Sequence, residues 1–347
     1  IVLTLLLITM LTSVFTIKSV KAWPKIWTVN SDGSGNFTTI QEAINTVNLG
    51  DYIYVINGTY NENVDVNKTV WLVGEKQEIT VIDGGGTETV VNITANNVVL
   101  SNFTIQNSGN LPEDAGIRLE ACEGCVINKI NLTGNICHIA LVGSNNNLVL
   151  RNIIQSGTEC GLNLTDSDNN HVAFNKILSN EVGVHIGLDS SGNNLTRNEI
   201  KLNTQCGILA NSSGNFVFHN ILIDNAAHVL TDSINVWDNG DPSGGNYWSG
   251  YTGTDPDGDG LGNTPYVIDV SNQDNHPLIR SPDLSLLSVD LNDDRTINMR
   301  DIGEAAQAFG GYPNGPRWNF LADVNGDLRV DLRDIAQIVV KFGMKYP

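Results

Sequence analysis

Asp290, Asn292, Asp294, Thr296, Asn298 and Asp301 occupy positions one, three, five, seven, nine and twelve of a single short segment. Asp323, Asn325, Asp327, Arg329, Asp331 and Asp334 repeat that spacing 33 residues later. Thr296 and Arg329 count through their backbone carbonyls, the others through side-chain oxygens. Hard divalent cations gather roughly six to eight oxygen ligands, and this is the EF-hand-type spacing for calcium. A third acidic stretch, Asp255-Pro256-Asp257-Gly258-Asp259-Gly260, sets three carboxylates two apart with glycines between them. Alternate carboxylates in a tight loop converge on one ion, so calcium is the predicted cofactor of all three loops.

The C-terminal pair needs helices to position it. A helical run follows each loop and stops at Phe309-Gly310 or Phe342-Gly343, with glycine as the cap. Arg280-Ser281-Pro282 marks the boundary before it.

The rest of the chain is built on a short repeat. Ala115-Gly116-Ile117, Cys137-His138-Ile139, Cys160-Gly161-Leu162, Val182-Gly183-Val184, Cys206-Gly207-Ile208 and Ala227-His228-Val229 recur at steps of 21 to 24 residues. A period this short signals a solenoid. Apolar residues alternate within each copy, as Val184 and Ile186 do around His185. Alternation means strands, and a repeat too short for a crossover helix means parallel coils with about three strands each. A second row is read as Asn128, Asn152, Asn175, Asn198 and Asn220, each followed two residues later by an aliphatic residue from Ile130 to Leu222. Asparagine suits a corner because it tolerates left-handed backbone and carries both donor and acceptor. Thr39-Ile40-Gln41-Glu42 reads as a capping box opening a short amphipathic helix. Such a helix would cover the open first coil.

Cys137, Cys160 and Cys206 share one row with Ala115 and Val182, and read as small core residues. A Cys137–Cys160 bridge between adjacent coils is open to them in an oxidising compartment. Cys125 is placed in a row with Val149, Val172, Leu195 and Val217; Cys122 falls in a turn, so Cys122-Glu123-Gly124-Cys125 is a weak metal motif. His171, His185 and His219 lie in different rows, which does not indicate an imidazole copper site.

The net charge of −19 opposes nucleic acid and anionic membrane as partners. Residues 1–22 read as a signal peptide, with an apolar run, Lys18, Lys21 and a small-residue cleavage site before Trp23. An uncleaved membrane anchor is the competing reading.

Phe37-Thr38-Thr39-Ile40-Gln41-Glu42-Ala43-Ile44, Gly58-Thr59-Tyr60-Asn61-Glu62 and Ile82-Asp83-Gly84-Gly85 resemble the opening of right-handed β-helix proteins. That group holds pectinesterases, polysaccharide lyases and NosD-type copper-binding proteins. Asn246-Tyr247-Trp248-Ser249 and Asp274-Asn275-His276-Pro277-Leu278 look most like the NosD-type branch. The C-terminal pair resembles a type I dockerin, in which Asp closes each loop. It departs from that pattern at position six, where Arg295 and Leu328 replace glycine, and in the partner-reading pairs Met299-Arg300 and Leu332-Arg333. The exchange at position six is expected to strain the turn and weaken calcium binding.

The predicted architecture is all-β: a right-handed parallel β-helix solenoid with an N-terminal capping helix, plus a small α-helical EF-hand-type module. The divisions are 1–22 signal peptide, 23–232 β-helix, 233–282 cap with the acidic loop and linker, and 283–347 dockerin-like module. The resemblances imply a monomeric secreted or cell-surface protein that binds polysaccharide. A cohesin-like scaffold or surface protein would be its partner. The rival readings are a polysaccharide lyase or glycoside hydrolase, and a NosD-type copper accessory protein. Motifs of the pectinesterase or polygalacturonase kind are missing from the repeats. The nearest approach to lyase chemistry is Asp166, Asp168 and Asp189 with Arg151 or Arg197.

Overall fold

The computed structural model describes residues 24–346. The signal-peptide reading of 1–22, and Trp23, lie outside the described residues. The chain winds into a parallel β-helix. One path of ten strands runs Ile26–Val29, Tyr52–Val55, Trp71–Gly74, Val99–Gln106, Val126–Thr133, Ile153–Gln155, Lys176–Leu178, Glu199–Lys201, Ile221–Ile223 and Tyr247–Trp248. A second sheet stacks Val64–Val66, Val91–Ile93, Ala115–Glu120, Cys137–Val142, Cys160–Thr165, Val182–Ile186, Cys206–Ala210 and Val229–Thr231. A third row, from Leu148–Leu150 to Phe216–Phe218, completes the later coils. The last parallel strand, Tyr247–Trp248, pairs with Ile221–Ile223, beyond the expected boundary at residue 232.

The register follows the tripeptide alignment. Cys137 pairs with both Ala115 and Cys160, and Val182 pairs with Cys206. Ile117, Ile139, Leu162, Val184 and Ile208 are fully buried in one ladder. Each such side chain contributes about 1.5–3 kcal/mol relative to exposure. A disulfide joins Cys137 to Cys160.

Asparagine ladders hold the corners. Asn152, Asn175, Asn198, Asn220 and Asn246 form one, in which each amide oxygen accepts the backbone N–H of the asparagine one coil earlier at 2.9–3.0 Å. Asn128 is not a member, contrary to the alignment above. It pairs with Leu150, and Ile130 donates its N–H to Asn152 at 2.9 Å. Val126–Thr133 is one strand where later coils break into two; its left-handed corner is at Lys129 (φ 53°), followed by Ile130 in place of an asparagine. A second ladder joins Asn147, Asn170, Asn193, Asn215 and Asn235. Cys125 belongs to it rather than to the Val149 row, since its N–H donates to Asn147 at 2.9 Å and Val149 pairs with Ile127. Cys122 and Cys125 are both buried, with their sulfurs 3.8 Å apart.

Helix α1, Ile40–Thr46, covers the first coils through buried Ile40, Ala43 and Ile44. The Thr39 hydroxyl accepts the Glu42 N–H, and the Glu62 carboxylate accepts the N–H groups of Ile40 and Gln41 at 2.9 and 3.0 Å. A negative charge at a helix N-terminus satisfies free donors and opposes the helix dipole. Tyr60, two residues earlier, donates its hydroxyl to the Ile56 carbonyl at 2.9 Å. These two contacts give physical content to the Gly58–Glu62 motif. At the other end Trp237 and Trp248 are buried, and Trp248 donates to the Asp274 carboxyl at 2.8 Å.

Residues beyond 282 form a separate small core of Val289, Leu291, Ile297, Ala305, Ala322, Val324, Val330 and Ile338. Helix α2, Leu284–Leu287, leads in; α3, Met299–Gln307, and α4, Leu332–Val340, follow the two loops. Gly310 and Gly343 take the left-handed conformation expected of helix caps (φ 79° and 82°). The halves interlock: Gly343 donates to the Ile297 carbonyl, and Gly310 donates to that of Val330, each at 2.8 Å.

Candidate functional site

The two C-terminal loops close around their carboxylates. In the first, Asp290 accepts the N–H groups of Asp294 and Arg295 at 3.3 and 2.7 Å, and the Tyr346 hydroxyl at 2.8 Å. Asn298 donates to the Thr296 carbonyl at 2.9 Å and to Asp294 at 3.3 Å, and Asn292 donates to Asp294 at 2.9 Å. Asp301 accepts the N–H groups of Leu291 and Asn298 and closes the loop. The second loop copies this. Asp323 accepts from Asp327 and Leu328, each at 3.0 Å, and Asp334 accepts from Asn325 and Asp331. Arg329 donates its N–H to Asp327 at 3.1 Å.

Asp290, Asp301, Asp323 and Asp334 are fully buried. Burial pushes Asp290 and Asp323 up to about 6, because a desolvated carboxylate lacks sufficient opposing charge. The donor atoms brought together are all oxygen, several of them charged and buried. That chemistry fits a hard divalent cation.

Asp255, Asp257 and Asp259 lie closer still. Their carboxylates each offer an oxygen within 4.8 Å of the others, and among the described residues no other group of three His, Cys, Asp or Glu side chains does so. Asp255 is held by the N–H groups of Gly258 and Gly260 at 2.7 and 2.9 Å. A cavity of about 280 Å³ beside this loop is lined by Asp241, Asp257, Asp259, Asn275 and His276. His276 Nδ1 meets the Asp238 carboxylate at 2.9 Å, which orients the ring.

The outer face of the eight-stranded sheet carries an open cleft that the sequence reading missed. Asp65 pairs in register with Asn92, and Asn92 with Arg118, one per coil. Asn92 donates to Asp65 at 3.1 Å, and Arg118 faces Glu120 at 3.6 Å. With Glu88, Glu113 and Asp114 they line a cavity of about 400 Å³. The row is scattered in sequence and emerges only from the register of the first, irregular coils.

Asp166, Asp168 and Asp189 lie in turns that follow Cys160–Thr165 and Val182–Ile186. Asp168 is taken up by the Ser191 N–H and hydroxyl. Arg151 and Arg197 sit at other corners and point at the C-terminal module, where Arg151 donates to the Asp323 carbonyl. The structure does not gather these residues into one lyase-type site.

The fold and these sites define a parallel β-helix protein with polar outer rows and oxygen-rich loops. Residues 36–253 match the family described as periplasmic copper-binding protein (NosD), and the chain belongs to that family. Pectinesterase 2 of Citrus sinensis is 36% identical over 94 residues, which is 23% of this chain and 18% of that protein. A probable pectinesterase/pectinesterase inhibitor of Arabidopsis thaliana is 41% identical over 90 residues, 24% of this chain and 14% of that one. The chain thus spans less than a fifth of the length of these relatives. Among solved structures, the family 28 exopolygalacturonase of Yersinia enterocolitica matches with a TM-score of 0.50 at 11% identity, over 65% of this chain and 59% of that one. The fold is therefore one shared with carbohydrate-active enzymes.

The family description raises copper, and the side chains can be tested against it. His138 and His219 are buried, and burial lowers both to about 4. His171 pairs with Leu148 and Asn194, and His185 with Asn163 and Leu209, so these two lie in separate rows as the sequence implied. Copper favours imidazole and sulfur, whereas the metal-type group that gathers here is all carboxylate. That carboxylate group does not fit a copper centre. Among the described residues, no helix is long and apolar enough to cross a membrane.

Proposed function

We propose that this is an exported, calcium-binding β-helix protein that binds polysaccharide on its eight-stranded sheet. A dockerin-like module, residues 283–347, would tether it to a cohesin-like scaffold or surface protein. The observation that supports glycan binding is the aligned row Asp65, Asn92 and Arg118 in an open cleft. Coils stacked roughly 4.8 Å apart present hydrogen-bonding groups at the spacing of an extended, hydroxylated chain. Carboxylates outnumber the one arginine, which favours a neutral glycan over a polyuronate. The carboxylates are engaged by fixed neighbours, as Asp65 is by Asn92 and Asp114 by the Leu111 N–H, which suits binding more than turnover.

Calcium would be held by Asp290, Asn292, Asp294, Thr296, Asn298 and Asp301, and by Asp323, Asn325, Asp327, Arg329, Asp331 and Asp334. Asp255, Asp257 and Asp259 would hold a further ion. The ion would neutralise buried carboxylates and fix the loop backbone.

A glycan array followed by titration of the best ligand tests the reading. Arg118→Ala and Asp65→Asn should each weaken binding about tenfold, the scale of one or two lost hydrogen bonds. Unchanged affinity in both variants, or no glycan bound at all, would reject it. A reducing-end assay on the same glycan decides between binding and the hydrolase or lyase alternative.

A further inference from the structure

The C-terminal module lies against the flank of the solenoid through its loops. Val99, Val126, Leu150 and Ala173 face outward from their coils, yet they are buried in a cluster with Leu328 that Trp318 and Phe320 flank. Polar contacts surround it. Arg197 donates to the Asp290 carbonyl at 3.2 Å and pairs with Asp293 at 2.5 Å. Arg151 donates to the Asp323 carbonyl. Lys129 reaches the Asn325 carbonyl at 2.9 Å, and Asn128 reaches that of Gly326 at 3.2 Å. The arrangement repeats: the first residue of each loop gives its carbonyl to one solenoid arginine. Arg151 and Arg197 stand at equivalent left-handed corners (φ 54° and 57°), and both lie over the Phe174 ring on the coil between, at 4.9 and 5.6 Å.

The loops are shaped to this surface. Arg295 and Leu328, at position six, adopt the left-handed backbone (φ 59° and 68°) that usually selects glycine there. Both are nonetheless buried, Leu328 in the apolar cluster on the solenoid flank. In the second loop glycine stands instead at position four. A Cβ on Gly326 would come within 2.5 Å of the Arg151 side chain, so the backbone must pass bare at that point. The equivalent residue of the first loop, Asp293, pairs with Arg197 and lies 3.5 Å from His219 Nδ1.

We infer that position four of both loops and position six of the second are docking residues, and that the surface they fit is the flank of this chain's own solenoid. The module is held on that flank rather than carried on a free leash. The face left for an outside partner is the helix side, where Met299, Leu332 and Phe342 are exposed. That last clause rests on the tether reading; the docking does not.

A protease site placed at Arg280-Ser281-Pro282 of the full chain tests this. After cleavage in calcium-containing buffer, the two pieces should co-elute in size-exclusion chromatography. Arg151→Ala with Arg197→Ala, or Leu328→Asp, should weaken their association at least tenfold. Separation of the nicked native pieces, or co-elution undiminished in both variants, overturns the docking. A variant that fails to fold is replaced by Lys129→Ala, checked for folding in the uncut chain and then nicked, since Lys129 donates to the Asn325 carbonyl across the contact. Its pieces should separate more readily than the native pair, and undiminished co-elution overturns the docking. Calorimetry on the same uncut protein reads calcium separately. No uptake would remove the calcium reading while co-elution still supports the docking.

Discussion

Arg197 and Asp290 stand 93 residues apart and meet at 3.2 Å, guanidinium to main-chain carbonyl. Neither residue is an ordinary surface group. Arg197 is 3% exposed and Asp290 is fully buried. A buried charge is retained only with partners, so the coil that carries Arg197 depends on the loop that covers it.

Removing residues 283–347 should therefore do more than untether the protein. It uncovers Val99, Val126, Leu150 and Ala173 together with Arg151 and Arg197. A contiguous apolar patch on a soluble surface drives association. The truncated solenoid should self-associate, as read by light scattering, while circular dichroism stays mainly strand. A monodisperse truncation would mean the contact covers nothing of consequence.

Asn175→Ala should lower the melting temperature markedly. Asn175 accepts from the Asn152 N–H and amide, and donates to the Val149 carbonyl and Asn198. Each buried group left unpaired costs about 1–3 kcal/mol. Ile177→Asp, at a fully buried ladder position, should be more damaging still. Near-native melting of either variant would show the ladder contributes little.

If the C-terminal loops hold calcium, chelation should lower the stability of the module before that of the coils, and Asp334→Ala should cost one ion. Asp334 also accepts the Asn325 and Asp331 N–H groups, so Asp334→Asn is the milder companion. Calorimetry that finds equal stoichiometry in wild type and Asp334→Ala would remove that residue from the site.

Acid should destabilise the solenoid through its buried histidines. Burial holds His138 at about 4, below the 6.5 of an exposed ring. Between those values the unfolded chain binds a proton that the folded chain refuses. The histidine's contribution to stability is then complete above about pH 6.5 and is lost as pH drops toward 4. His219 adds to this in the same direction. His138→Gln should flatten the decline in melting temperature over that interval. An equally steep decline in the variant would place the acid sensitivity elsewhere.

The coils were legible because burial in a parallel solenoid leaves a simple mark. Ile117, Ile139 and Leu162 recur at one step because they occupy one ladder. The reading slipped at Asn128, where a continuous strand hides the corner. It slipped again at Cys125, which replaces an asparagine without changing the apolar pattern around it. The Asp65–Asn92–Arg118 row was hidden because the first coils are uneven in length. The docking surface did leave a trace. Leu148-Val149-Leu150 is apolar on both faces, whereas a strand with a wet outer side should alternate. The loop spacing showed which oxygens gather, but not that Asp293 and Leu328 serve a second surface.

The asparagine ladders point one way. The main-chain N–H of each of these asparagines is satisfied by the asparagine one coil later, as Asn152 is by Asn175 and Asn175 by Asn198. A new turn of chain thus arrives on a prepared template, and presents the same template to its successor. The unit in which such a protein can lengthen or shorten is then one whole turn. Loss of the 23 residues that separate Asn152 from Asn175 would rejoin like to like, whereas loss of half that number would shear every row beyond it.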